Sequence, residues 1–267
     1  MVICQTLLGN VKPEIEAVGN NAELAREIGK LPDFELLGIS TRRGETCTEQ
    51  PKFRGVVEKG KDEAIAVVSD KYALTQMKGV FSKVLSRFEQ DIEGKIIYYR
   101  GYGQMHIFPS GEDVGIAVTN SVDASSAINV YFVRRVKGSG AGANEKTVYL
   151  PVKEYKKLHV GEPLNSVGNF GAILADARAA WEAIVERVSK IPLTDKIIAE
   201  AKEAVDTKTL VEVVEGFERH RLGKTMWDLL LAVLESAAGS KFKSEIHREK
   251  RMRELSCMVL ALALKET

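Results

Sequence analysis

Residues 95–137 read KIIYYRGYGQMHIFPSGEDVGIAVTNSVDASSAINVYFVRRVK, and this stretch decides the fold class. Apolar side chains recur at about every second position, which is the pattern of β-strands with one buried face. Gly103 and the pair Ser110-Gly111 interrupt the pattern, as residues of chain reversals do. The stretch therefore predicts an antiparallel meander, in which Tyr98, Arg100 and Tyr102 share one face of a strand.

Helix and hairpin patterns precede the meander. Apolar residues three and four apart predict a helix from Thr75 to Phe88, which we expect to cover one face of the sheet. Two short apolar runs, Phe53–Glu58 and Ala64–Ser69, flank a turn and predict a hairpin. The acid-rich segment from Asn21 to Leu31 predicts a helix, and the polar residues from Ser40 to Lys52 predict a loop.

The pattern becomes helical after Pro163. An apolar stripe predicts a helix between Phe170 and Val188, and four more helices are predicted at Thr194–Val205, Thr209–Arg219, Thr225–Ala238 and Lys243–Lys265. The predicted fold class is therefore α+β, with an N-terminal antiparallel sheet covered by a helix and then an all-helical C-terminal half. We expect an α+β domain over residues 1–162 and a helical domain or subdomain over residues 163–267.

The composition excludes several classes of protein. The chain has 267 residues, of which 45% are hydrophobic and 28% charged, the balance of an ordinary globular protein. A net charge of +1 excludes a strongly basic DNA-coating protein, so any nucleic-acid surface must come from local clusters of charge. Three widely spaced cysteines without a CxxC pair favour a cytoplasmic location. We expect no membrane partner, because no run of about 18 apolar residues occurs.

Basic and aromatic residues cluster on and after the predicted meander. Residues 128–160 include seven lysines and arginines but only two acids. Such a surface beside tyrosines can follow a phosphate backbone while bases stack on the rings. A solvated basic face explains the same charges equally well. The contact residues predicted for nucleic acid are Tyr98, Arg100, Tyr102, Arg134, Arg135, Lys137, Lys156 and Lys157.

The sequence contains no recognisable catalytic or cofactor motif. The loop Gly138–Asn144, followed by Lys146-Thr147, is similar to a phosphate-binding loop, but Glu145 stands where that motif needs glycine. We therefore predict a linker and no cofactor. The histidines lie outside any metal-binding or catalytic spacing, and they are His106, His159, His220 and His247. An enzyme whose site is assembled from residues distant in sequence stays an open alternative.

Another basic cluster opens the last predicted helix. Residues 241–253 contain six lysines and arginines and two glutamates. Ion pairs one helical turn apart explain part of this cluster, and a phosphate-facing or docking surface explains the rest. Because Trp181 and Trp227 lie in helical apolar stripes, a protein-interaction or homo-oligomeric module is a further alternative.

Four pieces of the sequence carry a family resemblance, namely Asp70-Lys71-Tyr72, residues 118–127, Arg134-Arg135 and residues 225–233. From about Tyr72 to Lys265 the chain resembles the phage- and plasmid-associated family called domain of unknown function 932. The resemblance implies a mobile-element (virus or plasmid) protein whose partner is replicating or recombining DNA. With the basic and aromatic strands, it favours non-enzymatic nucleic-acid binding with a preference for single strands.

The high lysine, glutamate and valine content is typical of a thermophilic host.

Overall fold

The computed structural model describes residues 14–123, 128–137, 145–157, 170–205, 207–219, 224–238 and 245–265. The strands in these ranges are β1 (Ile15–Asn20), β2 (Phe34–Arg43), β3 (Thr46–Glu58), β4 (Ala64–Ser69), β5 (Ile92–Tyr99), β6 (Tyr102–Pro109), β7 (Val114–Ser121), β8 (Ile128–Lys137) and β9 (Glu145–Lys157). The helices are α1 (Asn21–Lys30), α2 (Met77–Leu85), α3 (Phe170–Val188), α4 (Asp195–Ala204), α5 (Lys208–Arg219), α6 (Met226–Ala238) and α7 (Glu245–Lys265).

The α+β class predicted from the sequence is confirmed. Six strands are hydrogen-bonded in the order β1-β5-β6-β7-β8-β9, and β5, β6 and β7 pair antiparallel in succession. The helices are not confined to the C-terminal half, because α1 and α2 lie between strands in the chain. The predicted order of a sheet followed by helices is therefore only partly correct. None of the helices in the described ranges is both long and apolar enough to span a membrane.

Helices α1 and α2 pack on one face of β5 and β6, as predicted for α2. Two glycines permit the close approach: a Cβ on Gly94 would lie 2.7 Å from Leu24 Cδ1, and one on Gly103 would lie 2.7 Å from Met77 Sδ. Helix α1 begins with a capping box, in which the Asn20 side chain and Glu23 satisfy each other's backbone N–H groups. The capping residue Asn20 thus lies one position before the predicted start of this helix at Asn21.

A smaller sheet has the order β2-β3-β4. The hairpin predicted from Phe53 to Ser69 is confirmed, with Phe53 opposite Ser69 and Val56 opposite Ala66. The loop predicted from Ser40 to Lys52 is wrong, because these residues belong to β2 and β3 and to the turn between them. The local sequence is polar on both faces of the ribbon, so it lacks the apolar alternation by which a half-buried strand is recognised.

All five helices predicted after Pro163 are present as α3 to α7. Thr194 caps α4, since its hydroxyl accepts a hydrogen bond from the Ile197 N–H at 3.2 Å. The Trp181 side chain is completely buried, as are Leu229 and Leu255 of α6 and α7. Trp181 is therefore a core residue and is not available as a docking side chain.

The chain forms two compact units. The described residues of 14–132 and 153–175 form one, here called the sheet unit, and those of 133–152 and 176–267 form the helix unit. This division crosses β8, β9 and α3. The expected domains 1–162 and 163–267 stay a prediction. The glycine-rich loop Gly138–Asn144 lies outside the described residues.

Candidate nucleic-acid interface

The tight turn between β5 and β6 is the most unusual backbone feature of the sheet unit. Tyr99 and Tyr102 are the last paired residues, so Arg100 and Gly101 form a two-residue loop. Their φ angles are 43° and 80°, and a loop with both φ angles positive is a type I′ turn. Arg100 is the one non-glycine residue with a positive φ in the described residues. We call Tyr99–Tyr102 the Arg100 turn.

Tyr98 does not lie on the face that the sequence predicted for it. Tyr98 is 1% exposed and its partner Gly103 faces Met77, so the ring belongs to the core beneath α2. Its hydroxyl accepts a hydrogen bond from the Gly101 N–H at 3.0 Å. Burial raises the pKa of Tyr98, which keeps the hydroxyl protonated. The expectation of a solvent-facing Tyr98 is wrong, because Tyr98 lies on the same face of β5 as Ile96, which is also buried, and the reversal at Arg100-Gly101 separates this face from that of Tyr102.

Tyr99, Arg100 and Tyr102 remain at the surface. Tyr99 and Tyr102 lie directly opposite each other and are both partly exposed, and Arg100 is exposed. The Arg100 guanidinium carbon lies 5.8 Å from the centre of the Tyr99 ring, within the range of a cation–π contact. The Tyr102 hydroxyl donates to Gln104 Oε1 at 3.5 Å. Two of the three residues predicted near this turn, Arg100 and Tyr102, thus share an accessible surface.

A second segment reaches the turn from before α2. Val122 joins the two, because its N–H donates to the Gly101 carbonyl at 2.8 Å and its own carbonyl accepts from the Tyr72 hydroxyl at 3.0 Å. Lys71 precedes Tyr72 and is exposed. These hydrogen bonds therefore link the Tyr72 side chain to the Arg100 turn through Val122, although Tyr72 lies far from the turn in the chain.

Other charges near the turn are partly neutralised. Lys61 Nζ donates to Glu58 Oε2 at 2.7 Å, and this hydrogen bond raises the pKa of Lys61, whereas the Arg100 charge opposes the rise. Glu14 is also close, since its backbone N–H donates to the Tyr98 carbonyl at 3.0 Å. The charges shown close to the turn are therefore the cations Arg100 and Lys61 and the carboxylates Glu58 and Glu14.

The other predicted contact residues are not seen beside the Arg100 turn in the sheet unit. Arg134 and Arg135 are partly exposed and belong to the helix unit, and both make further interactions. The side chains of Lys137, Lys156 and Lys157 lie outside the described set. The eight predicted residues are therefore not a single cluster of the sheet unit, and among its described side chains Arg100 and Tyr102 are the predicted contact residues that reach the surface.

A row of buried polar side chains runs across β6, β7 and β8. Gln104 Nε2 and His106 Nε2 are 2.6 Å apart, and Asn129 Nδ2 donates to Thr119 Oγ1 at 3.2 Å. The Gln104 contact can fix one tautomer of His106 and so orient its imidazole. Among the described residues there is no group of three or more His, Cys, Asp or Glu side chains able to hold a metal ion.

Comparison of the chain with protein-family models, with curated proteins and with solved structures finds no match. The site consequently rests on its own geometry. Sequence reasoning missed the burial of Tyr98. An Arg-Gly pair between two tyrosines is the signal that could have located the turn, since glycine at the second position favours a two-residue hairpin loop.

Proposed function

We propose that this chain is a non-enzymatic nucleic-acid-binding protein of a mobile genetic element, that it prefers single-stranded DNA, and that the Arg100 turn is a contact point. Its place of action would be the cytoplasm, in replication or recombination. The observation that carries the proposal is the exposed arginine in a left-handed backbone conformation.

Arginine is an unfavourable residue at this position of the turn. The first position of a type I′ turn strongly prefers asparagine, aspartate or glycine, and a bulky residue there is strained by about 1–3 kcal/mol. Such strain persists where the surroundings enforce it and is concentrated at functional sites. Asparagine would relieve the strain and keep the turn, so the presence of a long cation at this position supports a role for its charge.

The side chains around Arg100 suit a single strand. Arg100 and Lys71 can each contact a phosphate, while the partly exposed faces of Tyr99 and Tyr102 can receive bases. Stacking of one base on an aromatic ring contributes about 1–3 kcal/mol. A surface of two cations and two rings is small, which agrees with a net charge of +1 and predicts a modest salt dependence, with a slope of about −1.4 in log K against log salt.

Fluorescence anisotropy with labelled single-stranded and duplex oligonucleotides at several salt concentrations tests the proposal. We expect Arg100→Asn and Lys71→Ala each to weaken single-strand binding and to reduce the slope of log K against log salt by about 0.7. Lys190→Ala is the matched control, because Lys190 is an exposed cation paired with Glu186 elsewhere in the chain. Absence of binding at low salt, or equal slopes for all variants, would refute the proposal.

A different set of side chains favours a protein-interaction module as second candidate. Leu37, Phe53 and Val67 are 42%, 46% and 60% exposed. Leu37 and Val67 both oppose Gly55, and Phe53 is two residues from Gly55 on the same strand, so all three share one face of the small sheet. Light scattering over a range of concentrations tests self-association, and replacement of Phe53 by serine should abolish any dimer that uses this face.

A further inference from the structure

The outer part of the β2–β3 hairpin is a ribbon without a core. Ser40, Thr41, Arg42 and Arg43 pair with Glu49, Thr48, Cys47 and Thr46 in that order. Every residue from Ser40 to Glu49 is exposed. We call residues 40–49 the arm. It is set off from the rest of the small sheet by a register shift between Gly38 and Ser40.

Burial cannot account for the arm. A lone two-stranded ribbon is only marginally stable in water, because it removes little apolar surface from solvent. Polar contacts hold this one in shape: Gln50 Nε2 donates to Thr41 Oγ1 at 2.9 Å, and Arg42 Nε donates to the Gly44 carbonyl at 3.0 Å. A preformed polar ribbon that supports no core is suited to contact with a partner.

The two faces of the arm differ in charge. Paired residues share a face and successive residues alternate, so Thr41, Thr48, Arg43 and Thr46 form one face. This face has three hydroxyl groups and one cation but no carboxylate, whereas Glu49 lies on the opposite face beside Ser40. No hydrogen bond or ion pair engages the Arg43 guanidinium within the described part of the chain.

We infer that the arm enters a groove of duplex nucleic acid through its Thr41–Arg43–Thr46–Thr48 face. The major groove is about 12 Å wide and admits a two-stranded β-ribbon. Hydroxyl groups and arginine are the donors that bind phosphates and base edges. This inference deepens the proposed function, on which it rests: the ligand is then a junction of duplex and single strand, with the arm on the duplex and the Arg100 turn on the single strand.

Anisotropy titrations with a single strand, a blunt duplex and a duplex with a single-stranded tail separate the two contacts. We expect Arg43→Ala to weaken binding of both duplex ligands by between about 5-fold and about 150-fold and to leave single-strand binding unchanged. Lys52→Ala is the matched control, because Lys52 is an exposed cation of β3 that lies outside the arm. Arg100→Asn should instead weaken the binding of the single strand and of the tailed duplex.

A thiol introduced by Thr48→Cys supplies an independent readout, because position 48 lies on the proposed face, whereas the exposed Cys47 lies on the opposite face beside Arg42 and is the internal reference. We expect the tailed duplex, but not the single strand, to slow alkylation of the introduced thiol more than that of Cys47, as measured by peptide mass spectrometry. The arm inference is overturned if Arg43→Ala leaves duplex affinity unchanged, if Lys52→Ala has an equal effect, or if the introduced thiol stays as reactive as Cys47. Failure of the proposed function is recognised separately, by single-strand binding that does not depend on Arg100.

Discussion

Replacement of Arg100 by asparagine should stabilise the protein while it weakens nucleic-acid binding. The φ of 43° is strained for arginine, whereas asparagine enters the left-handed region several-fold more often than most residues. Relief of this strain should stabilise the folded state by about 1 kcal/mol. The loss of the cation–π contact with Tyr99 should offset about 0.5 kcal/mol, because such contacts contribute about 0.5–1 kcal/mol at exposed sites.

The expected net effect is a gain of about 0.5 kcal/mol in the free energy of unfolding, or a rise of about 1–2 °C in Tm for a protein of this size. Urea denaturation and differential scanning calorimetry measure the two quantities. Arg100→Ala is the informative control, because it loses the charge and the cation–π contact but keeps a residue that is strained at positive φ. It should be less stable than both the wild type and Arg100→Asn.

Two outcomes would contradict this reasoning. If Arg100→Asn destabilises the protein by as much as Arg100→Ala, the backbone at the turn is not strained and Arg100 has a structural role. If Arg100→Asn is more stable and binds nucleic acid as tightly as the wild type, the strain exists but the charge does not serve binding. Only a more stable variant with weaker binding fits both the geometry and the proposed function.

Two further predictions concern the core beneath the turn. Burial raises the pKa of Tyr98 above its ordinary value of 10.0, so the folded state favours the protonated hydroxyl. The stability that this provides is complete below pH 10 and should be lost as the pH rises above that value. Absorbance at about 295 nm should then show tyrosine ionisation accompanying unfolding. Tyr98→Phe should remove this alkaline dependence and cost about 1–3 kcal/mol, because the buried Gly101 N–H loses its acceptor. Gly94→Ala should be more destabilising than Gly103→Ala, as measured by urea denaturation. At position 94 the new Cβ would lie 2.6 Å from the rigid His106 carbonyl oxygen, whereas at position 103 it would lie 2.7 Å from the movable Met77 side chain. Equal effects would show that the structure relaxes equally around both sites.

The helices were predictable because their apolar residues keep helical spacing from end to end. The stripe that predicts α3 includes Leu174, Ala177, Trp181 and Val188, and all four are buried. Side-chain direction near Arg100 was not predictable in the same way. A period of two assigns faces only while the chain runs straight, and the two-residue reversal after Tyr99 puts Tyr102 on the opposite face of the sheet from Tyr98.

The arm escaped recognition for a different physical reason. Strand prediction depends on a buried apolar face, but Ser40 to Glu49 have polar side chains on both faces. Their pairing is fixed by the turn at Gly44, whose φ is 62°, and by side-chain hydrogen bonds that no hydrophobic pattern records. Exposed apolar residues such as Phe53 were likewise indistinguishable in sequence from buried ones in the same strand.

The Arg100 turn and the arm, which the sequence did not predict, share one property. Natural sequences mostly obey local rules of turn chemistry and burial, and they depart from these rules chiefly at functional sites. Arg100 breaks the rule for type I′ turns, and the arm breaks the rule that paired strands bury an apolar face. Both departures lie in the sheet unit, and both present arginine to solvent. Mutations should therefore first be directed at the Arg100 turn and the arm of the sheet unit, before the basic segment 128–160.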